Sequence, residues 1–203
     1  MRLGVVNYEA GNLRSVETAL KAVGAEFFVS DKPEELLGSD RLVFPGVGDA
    51  KAAMDVLERS GLADAVRSFF ESGRRILGIC VGSQIVLDAS EENDARCLGL
   101  VPGTALRFPA RAGLKVPHMG WNQVEDVEGH PLFDGIDSGT SFYFVHSYYP
   151  DPDYEEHRLG ATEYGIRFAA GVCRENLTAV QFHPEKSGQA GLRLLSNFMS
   201  MAD

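Results

Sequence analysis

The chain has 203 residues, 44% hydrophobic and 24% charged, which is the size and balance of one folded domain spanning 1–203 and lies outside the disordered class. Its formal charge of -10 repels phosphate backbones and sets nucleic-acid binding aside. Cys80, Cys97 and Cys173 form neither a disulfide framework nor a C-x-x-C pattern, no apolar run reaches about 18 residues, and the opening apolar run is too short for a signal peptide. The expectation is a cytoplasmic protein with no membrane span.

Leu3 to Tyr8 reads as a short buried strand, and Leu13, Val16, Leu20 and Val23 then recur at helical spacing up to Gly24. Ala25 to Val29 and Arg41 to Phe44 are further strands, the second ended by Pro45-Gly46. Leu62, Val66, Phe69 and Phe70 mark a helix closed by Gly73, and Ile76 to Ile79 is the next buried strand. This alternation predicts an α/β fold with an open, mostly parallel sheet covered by helices on both faces. After about Glu91 the rhythm changes. Leu106-Phe108, Trp121-Val124, Phe142-Val145, Ile166-Ala169 and Leu177-Phe182 read as strands between short turns, giving antiparallel additions in the second half. Leu192, Leu195, Phe198 and Met199 form the stripe of a last helix. The acidic clusters at 91–94 and 151–156 read as solvated loops.

Three segments carry chemistry. Gly78-Ile79-Cys80-Val81-Gly82 follows a strand directly and has the form of a cysteine nucleophile elbow, with small residues on both sides of a crowded turn. A helix N-terminus aimed at the thiol favours its reactive, ionised form. Cys97 and Cys173 lack this setting and read as packing residues. Phe182-His183-Pro184-Glu185 follows another strand at the sheet edge where α/β proteins place their sites, and supplies a base and an orienting carboxylate. Pro45-Gly46-Val47-Gly48 closes a third strand, and its glycines permit backbone N–H groups to face an anion. It is no dinucleotide fingerprint, because Lys51 stands where the third glycine belongs. Each segment alone also fits a plain structural turn; their consistent positions on one sheet make the case. No His, Cys or acidic cluster has metal-ligand spacing, so neither metal nor cofactor is expected.

G-I-C-V-G-S-Q with F-H-P-E and P-G-V-G resembles the class I (triad) glutamine amidotransferases, with their flavodoxin-like fold. Asn7 to Leu13, Pro117 to Asn122, Tyr143 to Tyr148 and Gln181 to Ser187 further resemble the glutaminase subunits of imidazole glycerol phosphate synthases, in one register from residue 3 to about 199. Asn7 and Ser83 depart from the family's usual Asp and Met.

The resemblance implies hydrolysis of glutamine to glutamate and ammonia, with the ammonia passed to a TIM-barrel cyclase subunit as heterodimer partner in histidine biosynthesis. It implies Cys80 as nucleophile, His183 as base and Glu185 as its orienting group. It places the oxyanion donors at Val81 and in the Val47-Gly48 loop, and the substrate's α-groups against Gln84, Ser147 and Tyr148. Trp121 reads either as a core anchor or, as the resemblance implies, as a partner contact; Lys186 is a solvated lysine or a salt link to the cyclase, and Asn12 a helix cap or a contact. His146 reads as a core histidine bonded to backbone. The competing readings are the glutaminase of another amidotransferase, in pyridoxal phosphate or anthranilate synthesis, and an inactive glutaminase-like binding module.

Overall fold

The computed structural model describes residues 1–8, 12–110 and 114–202. The first half comprises β1 (Leu3–Val6), α1 (Leu13–Ala22), β2 (Phe27–Ser30), α2 (Pro33–Leu37), β3 (Arg41–Gly46), α3 (Ala50–Ser60), α4 (Leu62–Glu71), β4 (Ile76–Cys80) and α5 (Val81–Ile85). The second half adds β5 (Ala89–Ser90), β6 (Ala95–Arg96), β7 (Gly103–Arg107), β8 (His118–Val124), β9 (Thr140–His146) and β10 (Tyr148–Pro152). It ends with β11 (Ala161–Glu163), β12 (Arg167–Ala169), β13 (Gly171–Arg174), β14 (Leu177–Val180) and α6 (Gly188–Ser200).

The main sheet runs β13-β14-β4-β3-β1-β2, parallel throughout except for the antiparallel edge strand β13. Every residue of β1, β3, β4 and β14 is buried, which is why these segments read as unbroken apolar runs: a strand covered on both faces has no polar side to alternate with. Helix α1 packs with α6, and α4 packs with α2 and α3. The buried guanidinium of Arg41, at the start of β3, is held by the carbonyls of Phe198 and Met201, where a cation meets the negative end of α6.

The register sets where the chain leaves the sheet. Gly46 lies opposite Cys80 across β3 and β4, and Ile79 lies opposite Val180 across β4 and β14. Three loops therefore leave one sheet edge side by side, at the carboxyl ends where open α/β sheets bind ligands. The second half covers this edge with the β8–β9 hairpin and the sheet β10-β7-β5-β6. Phe142 of β9 packs at a tilt against Phe182 with ring centroids 4.1 Å apart, both fully buried, and so pins the segment just beyond β14.

The expected fold class is the observed one; boundaries differ. The first strand stops at Val6, the second covers Phe27–Ser30, and the last ends at Val180, before Phe182. Helices α2 and α3 went unassigned in the sequence. The Asp49 side chain accepts the Ala52 N–H at 2.8 Å as N-cap of α3, whose inner face is Ala50, Ala53, Met54 and Leu57, and Gly61 ends it at φ 75°. Among the described residues no helix is long and apolar enough to cross a membrane.

The turn from β4 into α5 admits only small residues. A Cβ on Gly82 would run into the Phe44 carbonyl oxygen, and one on Gly78 would stand 2.7 Å from the Ala179 Cβ. Overpacking of this kind costs typically about 1–3 kcal/mol, whereas Gly24, at φ 73° with open space around it, carries only the backbone penalty of an alanine in the left-handed region. Thermal melts should show Gly82→Ala destabilised more than Gly24→Ala. Equal losses would mean that the elbow yields.

Candidate active site

Cys80 ends β4 with φ 55° and ψ -111°, a strained backbone for a residue with a side chain and the conformation expected of a nucleophile elbow. Ser83 tightens the turn: its hydroxyl donates to the Cys80 carbonyl at 2.7 Å from a fully buried position, which gives this departure from the usual family residue a structural use. The Cys80 Sγ lies 3.9 Å from the Val145 carbonyl oxygen and 3.8 Å from Gln181 Nε2.

His183 follows β14 and is fixed through its backbone. Its N–H donates to the Tyr143 carbonyl at 2.9 Å, and its carbonyl accepts the Ser187 hydroxyl at 2.6 Å, while Ser187 Oγ accepts the Tyr143 N–H at 3.0 Å. Glu185 sits in the 3-10 turn Pro184–Lys186, and its Oε1 pairs with His183 Nδ1 at 2.7 Å, both side chains 1% exposed. Asn12 Nδ2 donates to the same Oε1 at 2.6 Å. Asn12 stands at the N-cap position of α1 but makes no capping bond there; its amide serves Glu185 instead.

Burial alone would lower the His183 pKa, but Cys80 and Glu185 outweigh it and hold the imidazole up at about 10. Nε2 is buried with no hydrogen-bond partner among the described residues. Catalytic contacts are often long before substrate binds. Cys97 and Cys173 contrast with this: burial pushes Cys97 up to about 12 and raises Cys173, and neither has a histidine partner. Tyr8 is buried beneath Gly46, its hydroxyl without a partner among the described residues, and burial, with Cys80 nearby, raises its pKa.

A cavity of about 290 Å³ opens at Cys80 and His183. Its wall contains Val47, Gly48 and Val81, the residues expected at an oxyanion site, and Gln84, Ser147 and Tyr148, those expected to hold substrate. Gly48 has φ 99° with nothing within 4 Å of where a Cβ would stand. The Gln84 amide nitrogen is already engaged, donating to the Tyr148 carbonyl at 2.8 Å and to Gln181 Oε1 at 2.9 Å, so only its Oε1 is left for a ligand.

The structure corrects one sequence expectation here. Glu92, read as part of a solvated acidic loop, lines the cavity; its Oε2 accepts the Ala50 N–H at 2.7 Å, and burial, with Asp49 nearby, raises its pKa against that hydrogen bond. No local signal separates Glu92 from its acidic neighbours, because the contact with the start of α3 is tertiary. Gln181 and Ser187 were likewise legible only as parts of a motif. Outside the cavity, Trp121 is 59% exposed and Met119 62% exposed on β8, so the core-anchor reading of Trp121 fails. Its ring stands 6.1 Å from that of Tyr143, and Lys186 Nζ lies 5.9 Å from the Tyr143 ring centroid. His146 is the buried, backbone-bonded histidine anticipated, with Nδ1 2.8 Å from the Tyr148 carbonyl.

Comparison with known proteins agrees with this geometry. The profile of the family described as "Glutamine amidotransferase class-I" matches residues 5–202. The imidazole glycerol phosphate synthase subunit HisH of Dehalococcoides mccartyi strain CBDB1 is 44% identical over 202 residues, covering 98% of this chain and 97% of that protein. The protein of the same name from Methanosarcina acetivorans is 46% identical over 203 residues, covering 98% of both. A crystal structure of a glutamine amidotransferase superposes with a TM-score of 0.72 at 25% identity, covering 98% of this chain and 97% of that one. With a nucleophile elbow, a buried His–Glu pair beside it and a family match over nearly its whole length, the chain belongs to the class-I glutamine amidotransferases.

Proposed function

We propose that this chain is the glutaminase subunit of an imidazole glycerol phosphate synthase, a single domain that hydrolyses glutamine and delivers ammonia to a TIM-barrel cyclase partner in the cytoplasm. The observation that carries the chemistry is that Cys80 and His183 share the wall of one cavity, with Glu185 buried behind the histidine. The relatives named above support the choice of synthase. So does the exposed Trp121 and Met119 strand beside Lys186, a surface suited to a partner.

In this reading His183 Nε2 already holds the proton given up by the Cys80 thiol, and Sγ attacks the carboxamide carbon of glutamine. The tetrahedral oxyanion is held by the Val81 N–H and an N–H of the Val47-Gly48 loop. As the intermediate collapses, the C–N bond breaks, His183 returns the proton to the leaving nitrogen, and ammonia departs from a glutamyl thioester. Water, deprotonated by His183, then attacks the thioester and releases glutamate and the Cys80 thiol. Glu185 keeps the imidazole oriented and stabilises its cationic form. Asn12 holds Glu185 in turn. Glu92 and Gln84 Oε1 are the acceptors for the substrate's α-ammonium group, and the Ser147-Tyr148 segment faces its α-carboxylate.

Cys80 should be the one cysteine labelled by a glutamine-like electrophile in step with loss of glutaminase activity, and glutamine should protect it. Parallel labelling of Cys97 or Cys173 with the same loss would sink the assignment. His183→Ala should lower kcat on the order of 10⁴-fold, as in triads that act as a unit. Glu185→Gln should cost less, and because the carboxylate helps to raise the His183 pKa, an NMR titration should show that pKa lowered in the variant. An unchanged titration would leave Glu185 a packing residue only.

Activation by the partner follows from the glycine loop. The open surroundings and positive φ of Gly48 let the adjoining peptide turn at little cost. One misdirected oxyanion donor costs about 3–4 kcal/mol, or roughly 10²–10³ in rate. The cyclase with its own ligand should therefore raise kcat far more than it changes KM. Gly48→Pro forces φ to about -65° and should blunt this activation while leaving cyclase affinity nearly intact. Equal turnover by the free subunit and the complex, or normal activation of the variant, contradicts a gated loop.

A further inference from the structure

A chain of buried hydrogen bonds runs from the exposed strand β8 to the nucleophile, and one acceptor dictates the direction of every bond in it. The Tyr148 carbonyl oxygen can only accept. It receives His146 Nδ1 at 2.8 Å, so that nitrogen carries the proton and, in the neutral ring, Nε2 is an acceptor. His118 Nδ1 lies 2.9 Å from His146 Nε2 and must therefore be the donor, which leaves His118 Nε2 to accept. Asn122 Nδ2 is 3.2 Å from that nitrogen. Its amide orientation is set independently, since Nδ2 also donates to the Glu163 carbonyl at 2.9 Å and Oδ1 accepts the Gln123 N–H at 2.8 Å. The two ends thus demand the same pair of tautomers. Burial, the largest influence on both rings, lowers His118 to about 4 and His146 to about 3, so both are neutral near pH 7.

The same carbonyl governs the other branch. Gln84 Nε2 donates to the Tyr148 oxygen at 2.8 Å and uses its second proton on Gln181 Oε1 at 2.9 Å. Gln181 is fully buried and its backbone N–H is bonded to the Ala170 carbonyl. With Oε1 turned to Gln84, its amide nitrogen is left 3.8 Å from Cys80 Sγ, presenting a donor to the sulfur. We propose that Gln181 is a further catalytic residue, whose side-chain amide stabilises the sulfur when His183 has taken its proton, that Gln84 is the positioning residue that holds that amide in the donating orientation, and that His146, backed by His118, is a positioning residue that holds the Tyr148 carbonyl in place for Gln84. A hydrogen bond to an ionised sulfur is stronger than one to a neutral thiol, so the contact favours the reactive form. The catalytic consequence rests on Cys80 being the glutaminase nucleophile.

The test reads sulfur reactivity and tautomers on the full chain near neutral pH. Among the described residues the titratable groups around Cys80 are His183 with Glu185 behind it, Tyr8 beneath the elbow, and Glu92, His146 and Tyr148 at the cavity wall, and Gln181→Met alters none of them. In that variant iodoacetamide should alkylate Cys80 roughly tenfold more slowly, and glutaminase kcat should fall while KM holds. His118→Phe, which keeps an aromatic ring against Phe144 and Tyr164, should slow alkylation in the same direction by a smaller factor. Side-chain nitrogen NMR of the wild type should find His118 and His146 both neutral with the proton on Nδ1. A proton on Nε2 of either ring, or wild-type alkylation in a folded Gln181→Met protein, overturns the proposal; if that variant fails to fold, the tautomers and His118→Phe decide. Alkylation needs no glutamine, so a chain inert toward glutamine would contradict the glutaminase reading separately from this one.

Discussion

The alignment of three parallel strand ends underlies everything else in this molecule. Because Gly46 faces Cys80 and Val180 faces Ile79, the glycine loop, the elbow and the histidine segment emerge together from one sheet edge. The backbone hydrogen bonds of β3, β4 and β14 set that level, and full burial of these strands makes a register slip costly, since it would turn every side chain to the opposite face. The strain at Cys80 is held by this frame: Gly78 and Gly82 give room, and Ser83 closes the turn from below.

Burying ionisable groups at such an edge calls for partners. His183 and Glu185 are almost wholly removed from water, and breaking such a pair by removing one member typically costs about 3–5 kcal/mol. The fold meets the demand from a distance in sequence. Asn12, at the start of α1, bonds the carboxylate, and the hydroxyl of Ser187 ties the histidine segment to β9. The second-half strands therefore do more than cover the sheet edge: β9 carries the Tyr143 carbonyl that fixes His183 and the Val145 carbonyl next to the sulfur, and β10 begins at the Tyr148 carbonyl that orders both glutamines.

The parallel core was legible because two-sided burial leaves apolar runs, and the elbow because a strained turn demands glycines at set spacing. The His–Pro–Glu segment was legible for a related reason, since base and orienting group lie two residues apart. What stayed hidden was tertiary. Glu92 differs from Glu91 only in what α3 brings near it, and Asn12 looks like any helix cap until Glu185 is placed beside it. Trp121 shows the reverse case, a large apolar residue whose exposure no composition rule anticipates. Helix α3 stayed hidden too, because its alanine-rich inner face gives only a weak apolar stripe between the Asp49 cap and Gly61.

The central claim is that glutamine is opened by Cys80 through a covalent thioester. Rapid mixing with isotopically labelled glutamine, acid quenching and mass spectrometry of the peptide containing Cys80 tests it directly, best with the proposed cyclase partner and its ligand present. The account predicts a glutamyl adduct on Cys80 that appears before free glutamate reaches its steady rate and accumulates when thioester hydrolysis is slowed. Ammonia release at the full rate with no adduct on Cys80, or with the label on another residue, would contradict it.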